Sequence, residues 1–269
     1  MSLRSFHLDT RYFKSVQLLN TRTRREVVSI GTVLTKWGER ASRVYNASNA
    51  ERYRRHDDQL PDSAPSMALA AWLARVCHSC GHDLTVLDLG CGTGRYFWAL
   101  EGVRELVGLD ASPAMLERAR QPYAGQQIRI KQISLVHGDV ITAAFEPARF
   151  DLVYSIGVLA EYTPLNEAVV TRVARWLKPG GCFAFTAVRP DSPTIRLTAR
   201  RRIGRTLGRW IPGPAGRACR RRLMSGGLYA DDAWIRDVLT PGFEIESLND
   251  FQSESHIHGL CVARRIGSS

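Results

Sequence analysis

The chain has 269 residues, of which 44% are hydrophobic, so it is long enough to bury a substantial core and to form a single α/β domain. No apolar stretch approaches the roughly 20 residues that cross a bilayer, and no apolar signal core follows Met1. From these features we expect a cytoplasmic protein without a membrane-spanning segment. The formal net charge is +11, and only four of the basic residues are lysine.

The first 60 residues predict a mostly helical leader. Apolar residues recur there at helical spacing, at Val27, Val28, Ile30, Val33, Leu34 and Trp37. A second helix is expected from about Ser66, and its buried face would contain two of the six cysteines, Cys77 and Cys80. The cluster Cys77-His78-Ser79-Cys80-Gly81-His82 resembles half of a zinc site, but no second ligand pair follows at suitable spacing. We therefore predict no metal and reduced thiols.

A glycine-rich turn is the most informative segment. The apolar run 84–87 predicts a buried parallel strand and leads into Asp88-Leu89-Gly90-Cys91-Gly92-Thr93-Gly94. The segment 95–100 that follows predicts the first turns of a helix. Glycines at a strand end permit a tight turn and let the backbone approach a ligand, so we expect an adenosine-like ligand here.

The spacing of the glycines distinguishes between cofactors. A dinucleotide fingerprint needs a third glycine where this chain has Arg95, whereas here the extra glycine is Gly94. A second apolar strand, 105–109, ends at Asp110, and a carboxylate there can accept hydrogen bonds from both hydroxyls of a ribose. An alternative is that Asp110 caps the helix that begins near Ser112.

Three further motifs follow in order. Val136-His137-Gly138-Asp139-Val140 predicts a third strand end, at which Asp139 is either a ligand contact or a turn residue. Residues 150–157 predict a fourth strand. Leu177-Lys178-Pro179-Gly180-Gly181 predicts a turn before a fifth strand at 182–188.

This ordered series resembles the class I S-adenosylmethionine-dependent methyltransferases, closely over about residues 45–190 and loosely elsewhere. The resemblance implies a Rossmann-like α/β fold whose seven-stranded, mostly parallel sheet ends in a reversed strand. Residues 243–248 and 256–264 alternate as such a final antiparallel pair. We expect one domain, 1–269, comprising a leader (1–60), a cofactor-binding core (61–190), a basic insertion (191–230) and C-terminal strands (231–269).

The resemblance also implies the cofactor, S-adenosyl-L-methionine, and the residues that hold it. Asp110 would bind the ribose, Met115 would approach the adenine, and Asp139 would accept from the adenine amino group. The expected cofactor-binding residues are Tyr45, Tyr53, Asp88, Gly90, Cys91, Gly92, Gly94, Asp110, Ala111, Met115, Gly138, Asp139, Val140, Ser155 and Ile156.

Methyl transfer from a sulfonium is an in-line displacement, so alignment is the main task of the enzyme, and an oxygen or nitrogen acceptor also needs a base. Many relatives have a histidine in the loop after the fourth strand, where this chain has Glu161. Glu161 could be the base, bind an amine acceptor, cap the next helix or have no chemical role. Tyr162 and His256 are the other catalytic candidates, and His258 lies on the same face of a strand as His256.

The basic insertion concentrates ten arginines at Arg196, Arg200, Arg201, Arg202, Arg205, Arg209, Arg217, Arg220, Arg221 and Arg222. Four interpretations of such a segment are open. It forms a solvated helix face, or it binds an anionic acceptor. Alternatively, it lies on an anionic membrane surface near a lipid-like acceptor, or it binds RNA. We expect a small acceptor, anionic or lipid-like, methylated on oxygen or nitrogen. The alternatives are a tRNA or other RNA methyltransferase and a non-catalytic protein that binds the cofactor.

Overall fold

A computed structural model describes residues 27–29, 33–125, 127–195, 203, 206, 210, 211, 215, 227–253 and 256–267. Its strands form one sheet of eight. In chain order they are β1 (Val27–Ser29), β2 (Leu84–Leu89), β3 (Val103–Asp110), β4 (Gln132–His137), β5 (Phe150–Ser155), β6 (Leu177–Val188), β7 (Phe243–Gln252) and β8 (Ile257–Arg265).

The strand order across the sheet is β1-β4-β3-β2-β5-β6-β8-β7. All pairs from β1 to β6 are parallel, whereas β8 is antiparallel to both β6 and β7. The predicted Rossmann-like sheet with a reversed last strand is therefore confirmed, and β1 adds a short parallel strand at one edge. The order changes direction at β2, so the neighbouring crossovers leave a crevice at the carboxyl ends of β2 and β5.

The described helices are α1 (Lys36–Val44), α2 (Ala47–Asp58), α3 (Ala64–Cys80), α4 (Pro113–Ala119), α5 (Glu167–Trp176) and α6 (Asp232–Leu239). Each begins after a residue whose side chain accepts from backbone N–H groups of the first turn. These N-caps are Thr35, Asn46, Ser63, Ser112, Asn166 and Asp231. None of the helices in the described ranges is long and apolar enough to span a bilayer.

Two expectations about local structure are wrong. Val27 and Val28 belong to β1 and pair with β4 instead of continuing a helical stripe, since β-branched residues suit the open edge of a parallel sheet. The glycine turn leads into turns at 92–96 and a single 3-10 turn, Phe97–Ala99, and not into an α-helix. Only thirteen residues connect β2 to β3, and Gly94 has a positive φ of 73°, which stops a helix from starting there.

The core lies on both faces of the sheet because successive side chains of each strand point to opposite faces. Leu87 and Leu89 of β2 pack in the cluster that includes α5 and α6. Val86 of the same strand packs with α3 and α4 on the other face. Both faces are thereby covered, and the carboxyl edge of the sheet remains for a ligand.

Most of the arginine-rich segment lies outside the described residues, as do Ile30 and Cys219. The positions within it that the structure does describe include Ile203 and Trp210, which are helical and 53% and 79% exposed.

Candidate active site

A cavity of about 410 Å³ opens at the carboxyl edge of the sheet. Its walls follow the strand order, from the loop after β4, past the ends of β3, β2 and β5, to β6 and the start of β8. The first turns of α3 and the helices α1 and α2 close it from above. Its position is where ligands bind in open parallel sheets, and its size suits a small organic ligand.

The glycine turn forms one wall of the cavity, and at Gly90 and Gly92 this wall is bare backbone. Gly90 and Gly92 have φ of 83° and 55°, a conformation that glycine adopts without a steric penalty. A Cβ on Gly90 would lie 2.2 Å from Val158 Cγ2, whereas a Cβ on Gly92 would lie 3.8 Å from Met115 Cε and occupy the cavity. The turn therefore brings backbone within direct reach of a ligand.

Asp110 stands at the end of β3 and holds the turn. Its Oδ2 accepts from Gly92 N at 2.8 Å, and its Oδ1 accepts from Ser112 N at 2.8 Å. A carboxylate has about four lone-pair sites, so both oxygens keep capacity to accept the two hydroxyls of a ribose. Ser112 itself caps α4 by accepting from Met115 N, so Asp110 is not that cap. Burial raises the pKa of Asp110.

Asp139 follows β4 and is 2% exposed. Its Oδ1 accepts from Ile141 N at 2.8 Å, which is the turn role, and its Oδ2 accepts from Thr35 N and Thr35 Oγ1 at 2.9 and 2.6 Å. These three hydrogen bonds use three of the about four lone-pair sites of the carboxylate. The remaining site, on Oδ1, can accept from a single donor such as an adenine amino group. The structure therefore shows the turn role, and the remaining acceptor site keeps the predicted adenine contact as a prediction.

Asp88, at the end of β2, is a second acid beside Asp110. Tyr154 Oη donates to its Oδ2 at 2.6 Å. Burial, with a smaller contribution from Asp110, raises the pKa of Asp88 to about 8 in spite of that hydrogen bond. A cationic ligand group in the cavity would favour its ionised form.

Aromatic residues from the leader close the cavity above these acids. Tyr45 packs edge-to-face on Tyr53 and on Tyr162, with ring centroids 5.4 and 5.2 Å apart. Below them, the fully buried Asp57 of α2 accepts from Thr93 Oγ1 and from Arg95 Nε. The leader is thereby fastened directly to the glycine turn.

Comparisons with known proteins agree with this geometry. Residues 86–181 match a family model described as a methyltransferase domain. An uncharacterized methyltransferase of Synechocystis is 34% identical over 158 residues, which cover 53% of this chain and 71% of that protein. The chain belongs to the class I S-adenosylmethionine-dependent methyltransferases.

Two further relatives match part of the chain. One is a trans-aconitate 2-methyltransferase of Methylobacterium nodulans, 33% identical and covering 56% of this chain. The other is a sterol 24-C-methyltransferase of Candida albicans, 36% identical and covering 38% of this chain. The matched segments span only 55% and 27% of those two proteins.

Solved structures with the same fold include two methyltransferases with S-adenosylhomocysteine bound. The N-methyltransferase NodS of Bradyrhizobium japonicum matches with a TM-score of 0.56 at 21% identity, covering 81% of this chain and 97% of that one. The magnesium protoporphyrin IX methyltransferase of Synechocystis matches with a TM-score of 0.56 at 18% identity, covering 86% and 100%. At these identities the likeness concerns the fold.

The residues of this methyltransferase fit its cofactor. The bare backbone at Gly92 and the acceptor capacity of Asp110 and Asp139 match a ribose and an adenine. The structure brings fifteen of the predicted site residues to the cavity wall: Tyr45, Tyr53, Asp88, Gly90, Cys91, Gly92, Asp110, Ala111, Met115, Gly138, Asp139, Val140, Ile156, Glu161 and Tyr162.

Three predicted site residues lie away from the wall. Gly94 faces Phe97 and Pro122, because a Cβ there would lie 2.8 Å from Phe97 and 3.0 Å from Pro122. Ser155 is fully buried and donates to Leu89 O at 2.8 Å. His256 precedes β8 and is not part of the wall, whereas His258 is. Cavity-wall residues at the start of α3, such as Ser66, could not be predicted from the sequence. They belong to no motif, and only the packing of α3 against the sheet brings them to the cavity.

Two titratable side chains occupy the end of the cavity near β5, β6 and β8. Glu161 is half-buried, and burial raises its pKa to about 7. Within the described part of the chain, no hydrogen bond or ion pair involves its carboxylate. Burial, with help from His256, lowers the pKa of His258 to about 4, and its buried Nδ1 has no partner among the described residues.

Proposed function

We propose that this methyltransferase transfers a methyl group to an oxygen or nitrogen of a small metabolite, anionic or lipid-like, bound at the β5–β6–β8 end of the cavity. The supporting observation is the division of the cavity. Most of the predicted cofactor residues lie along its β4–β3–β2 half, and the titratable residues that the cofactor does not need, Glu161 and His258, occupy the other half. The cofactor, when bound, supplies an electrophilic methyl group.

The names of three relatives support a small acceptor. They are enzymes for a sterol, for demethylmenaquinone and for trans-aconitate, whereas a fourth relative acts on malonyl-[acyl-carrier protein], whose acceptor is attached to a protein. Two of the three small acceptors are lipids and trans-aconitate is a polycarboxylate, which agrees with the lipid-like and anionic classes. The names include both carbon and oxygen as methylated atoms, so the choice of oxygen or nitrogen depends on Glu161 as a base in this cavity. RNA is not favoured.

Glu161 is the first titratable residue of the acceptor half. A carboxyl group with a pKa near 7 is half ionised at neutral pH and can take a proton from an acceptor hydroxyl or ammonium. The helix that follows is capped by Asn166, so Glu161 is not committed to capping. An ionised Glu161 also attracts a protonated amine into the cavity before the proton moves.

His258 is the second titratable residue of this half. Its Nε2 lies 3.3 Å from Ser253 Oγ, which donates to His256 O at 3.0 Å. In that arrangement Nε2–H donates to Ser253 Oγ. The lowered pKa keeps the imidazole neutral at pH 7, so His258 adds no positive charge to the acceptor half and is a weaker base than Glu161. His256 contributes to that lowered pKa, and Tyr162 bounds the acceptor space.

The decisive experiment incubates the pure enzyme with S-adenosylmethionine labelled in its methyl group, once with a metabolite extract and once with total RNA. We expect label in a small product identified by mass spectrometry, and Asp110→Ala as the control should abolish it. Label in RNA, with affinity falling steeply with salt, would contradict the proposal. Cofactor binding without transfer to any fraction would indicate the non-catalytic alternative.

The product then allows the roles of Glu161 and His258 to be separated. Glu161→Gln should lower kcat/KM and remove a rise in rate with an apparent pKa near 7, because the amide accepts no proton. His258→Gln should lower the rate without removing that rise. A Glu161→Gln enzyme with an unchanged pH profile would leave Glu161 without a chemical role.

A further inference from the structure

Three cysteines lie in or against one hydrophobic cluster, toward the end of the fold opposite the cofactor cavity. Cys77 and Cys80 lie in the last turn of α3, and Cys182 lies in the first half of β6. The start of α3 contributes Leu69 to the cavity wall, and Cys80 is eleven residues further, about 16 Å along the helix. None of the three cysteines lines the cavity, so methyl transfer does not account for them.

Cys80 lies beside a cation and near a second thiol. Arg264 Nη1 lies 3.8 Å from Cys80 Sγ, and Cys182 belongs to the hydrophobic cluster against which Cys80 packs. Arg264 and Cys182 are register partners on β8 and β6, so the sheet places them side by side. The guanidinium is fixed in turn, because its Nε donates to Glu246 Oε1 at 2.7 Å and its Nη2 donates to Ser79 O at 3.3 Å.

These neighbours give Cys80 a lower pKa than the other described cysteines. The contact with Cys182, with help from Arg264 and Ser79, lowers the pKa of Cys80 to about 7 against the opposing effect of burial. Burial raises the pKa of Cys77 and of Cys261 to about 12, and it also raises the pKa of Cys91. Cys80 is half-buried and the other four are buried, so the thiolate is also the accessible sulfur.

A metal does not explain the cluster. Among the described residues no three histidine, cysteine, aspartate or glutamate side chains converge as metal ligands. His78 and His82 contact each other, with ring centroids 6.5 Å apart, on the exposed side of the segment. The cluster is therefore a group of thiols with one cation and not a zinc site.

We propose that Cys80 is a site of reversible oxidation by hydroperoxides, with Cys182 as its resolving thiol. The Cys80 thiolate attacks a peroxide oxygen, so that an S–O bond forms, the O–O bond breaks and hydroxide leaves. Cys182 then attacks the Cys80 sulfenic acid, so that an S–S bond forms, the S–O bond breaks and the Cys182 proton departs with the hydroxyl as water. Two thiols are oxidised and one peroxide is reduced.

The second step follows from the first. As long as Cys80 is a thiolate, the Cys182 thiol donates to it, and this contact is the largest cause that raises the pKa of Cys182. Oxidation of Cys80 removes its negative charge, so the contact no longer raises the pKa of Cys182. Cys182 then ionises more readily beside Arg264, at the moment when a nucleophile is required.

The test uses the full-length reduced protein and about one equivalent of hydrogen peroxide, followed by peptide mass spectrometry. We expect a Cys80–Cys182 disulfide that dithiothreitol reverses. In Cys182→Ala the expected product is a Cys80 sulfenic acid trapped by dimedone, and Cys77→Ala, the matched control, should form the same disulfide as the wild type. A Cys77–Cys80 disulfide, or oxidation elsewhere with Cys80 unmodified, would overturn the assignment.

Alkylation kinetics test the role of the cation without peroxide. The groups that face Cys80 are Cys77, Cys182, Ser79 and Arg264, and Arg264 is paired with Glu246. Arg264→Gln should slow the reaction of Cys80 with iodoacetamide at pH 7 by several-fold, since the loss of the cation raises the pKa of Cys80 above about 7 and reduces its thiolate fraction. The control Arg265→Gln removes an arginine that donates to Leu177 O instead. Equal rates in the two variants, both with wild-type circular dichroism, would refute the role of Arg264.

Discussion

Individual carboxylates determine what the cavity can bind, and the number of hydrogen bonds that each already accepts is informative. Asp110 accepts one N–H at each oxygen, whereas Asp139 accepts two donors at Oδ2 and one at Oδ1. Asp110 can therefore serve two hydroxyls and Asp139 one further donor. Two side chains with similar sequence positions are thus suited to different parts of one nucleoside.

We expect Asp110→Asn to weaken the binding of S-adenosylhomocysteine roughly tenfold to a hundredfold, since charge-assisted hydrogen bonds contribute about 1.5–3 kcal/mol. Isothermal titration calorimetry measures the change. The matched control is Asp83→Asn, which removes an exposed carboxylate paired with Arg104 outside the cavity. Equal affinities for the two variants would contradict the ribose assignment.

Asp88 should make cofactor binding depend on pH. Its pKa is about 8 in the free protein, and the positively charged donor should lower this pKa by favouring the carboxylate. A proton is then released on binding at neutral pH, so affinity rises as the pH increases from 6 and levels off above about 8. Calorimetry in two buffers of different ionisation enthalpy counts that proton. Asp88→Asn should flatten the profile, and a wild-type affinity that is constant from pH 6 to 8 would contradict the expectation.

At the scale of whole elements, the leader helices are part of the site. Thr35 caps α1 and at the same time donates to Asp139, and Asp57 of α2 accepts from Thr93 and Arg95 of the glycine turn. Gly38 permits the close approach of α1, since a Cβ there would lie 2.5 Å from Asp139 Oδ2. The position of α1 therefore depends on the absence of a Cβ at Gly38.

Gly38→Ala should push α1 away from Asp139 and break the Thr35 hydrogen bonds. We expect a loss of about 1–3 kcal/mol in the free energy of unfolding, because a buried carboxylate loses its partners. Urea denaturation measures this loss. Gly267→Ala is the matched control, since a Cβ there meets nothing within 4 Å. If both variants unfold at the same urea concentration, α1 does not pack on Asp139.

The sequence predicted the elements of the core well because their signals are local. Apolar runs that end in Asp88, Asp110 and Asp139 directly indicate strand ends. In the leader, α1 and α2 agree with the predicted helices, but Val27 and Val28 were assigned wrongly, because they fit a helical stripe as well as a strand until the open edge of β4 is known. The contribution of Thr35 to the site also escaped prediction, since it depends on contact between residues 104 positions apart.

At the scale of the whole molecule, one continuous cavity joins elements that are far apart in the chain. The carboxyl ends of β2 to β6 form its floor, the start of β8 forms one end, and the leader covers it. A ligand in the cofactor half therefore contacts the glycine turn and the leader together. Binding should stabilise both, although α3 and β2 separate them in the chain.

S-adenosylhomocysteine at about one hundred times its dissociation constant should stabilise the fold by about 2.7 kcal/mol, which corresponds to a rise in Tm of roughly 5–10 °C. Hydrogen exchange should show new protection in the glycine turn at 90–94 and in α1 and α2. Exchange in α6 and β7, which do not contribute to the cavity wall, should be unchanged. The Asp110→Asn variant is the control and should give a smaller rise at the same ligand concentration. Protection of the glycine turn with unchanged exchange in α1 and α2 would mean that the leader is not coupled to the bound cofactor, in conflict with the contacts of Asp139 and Asp57.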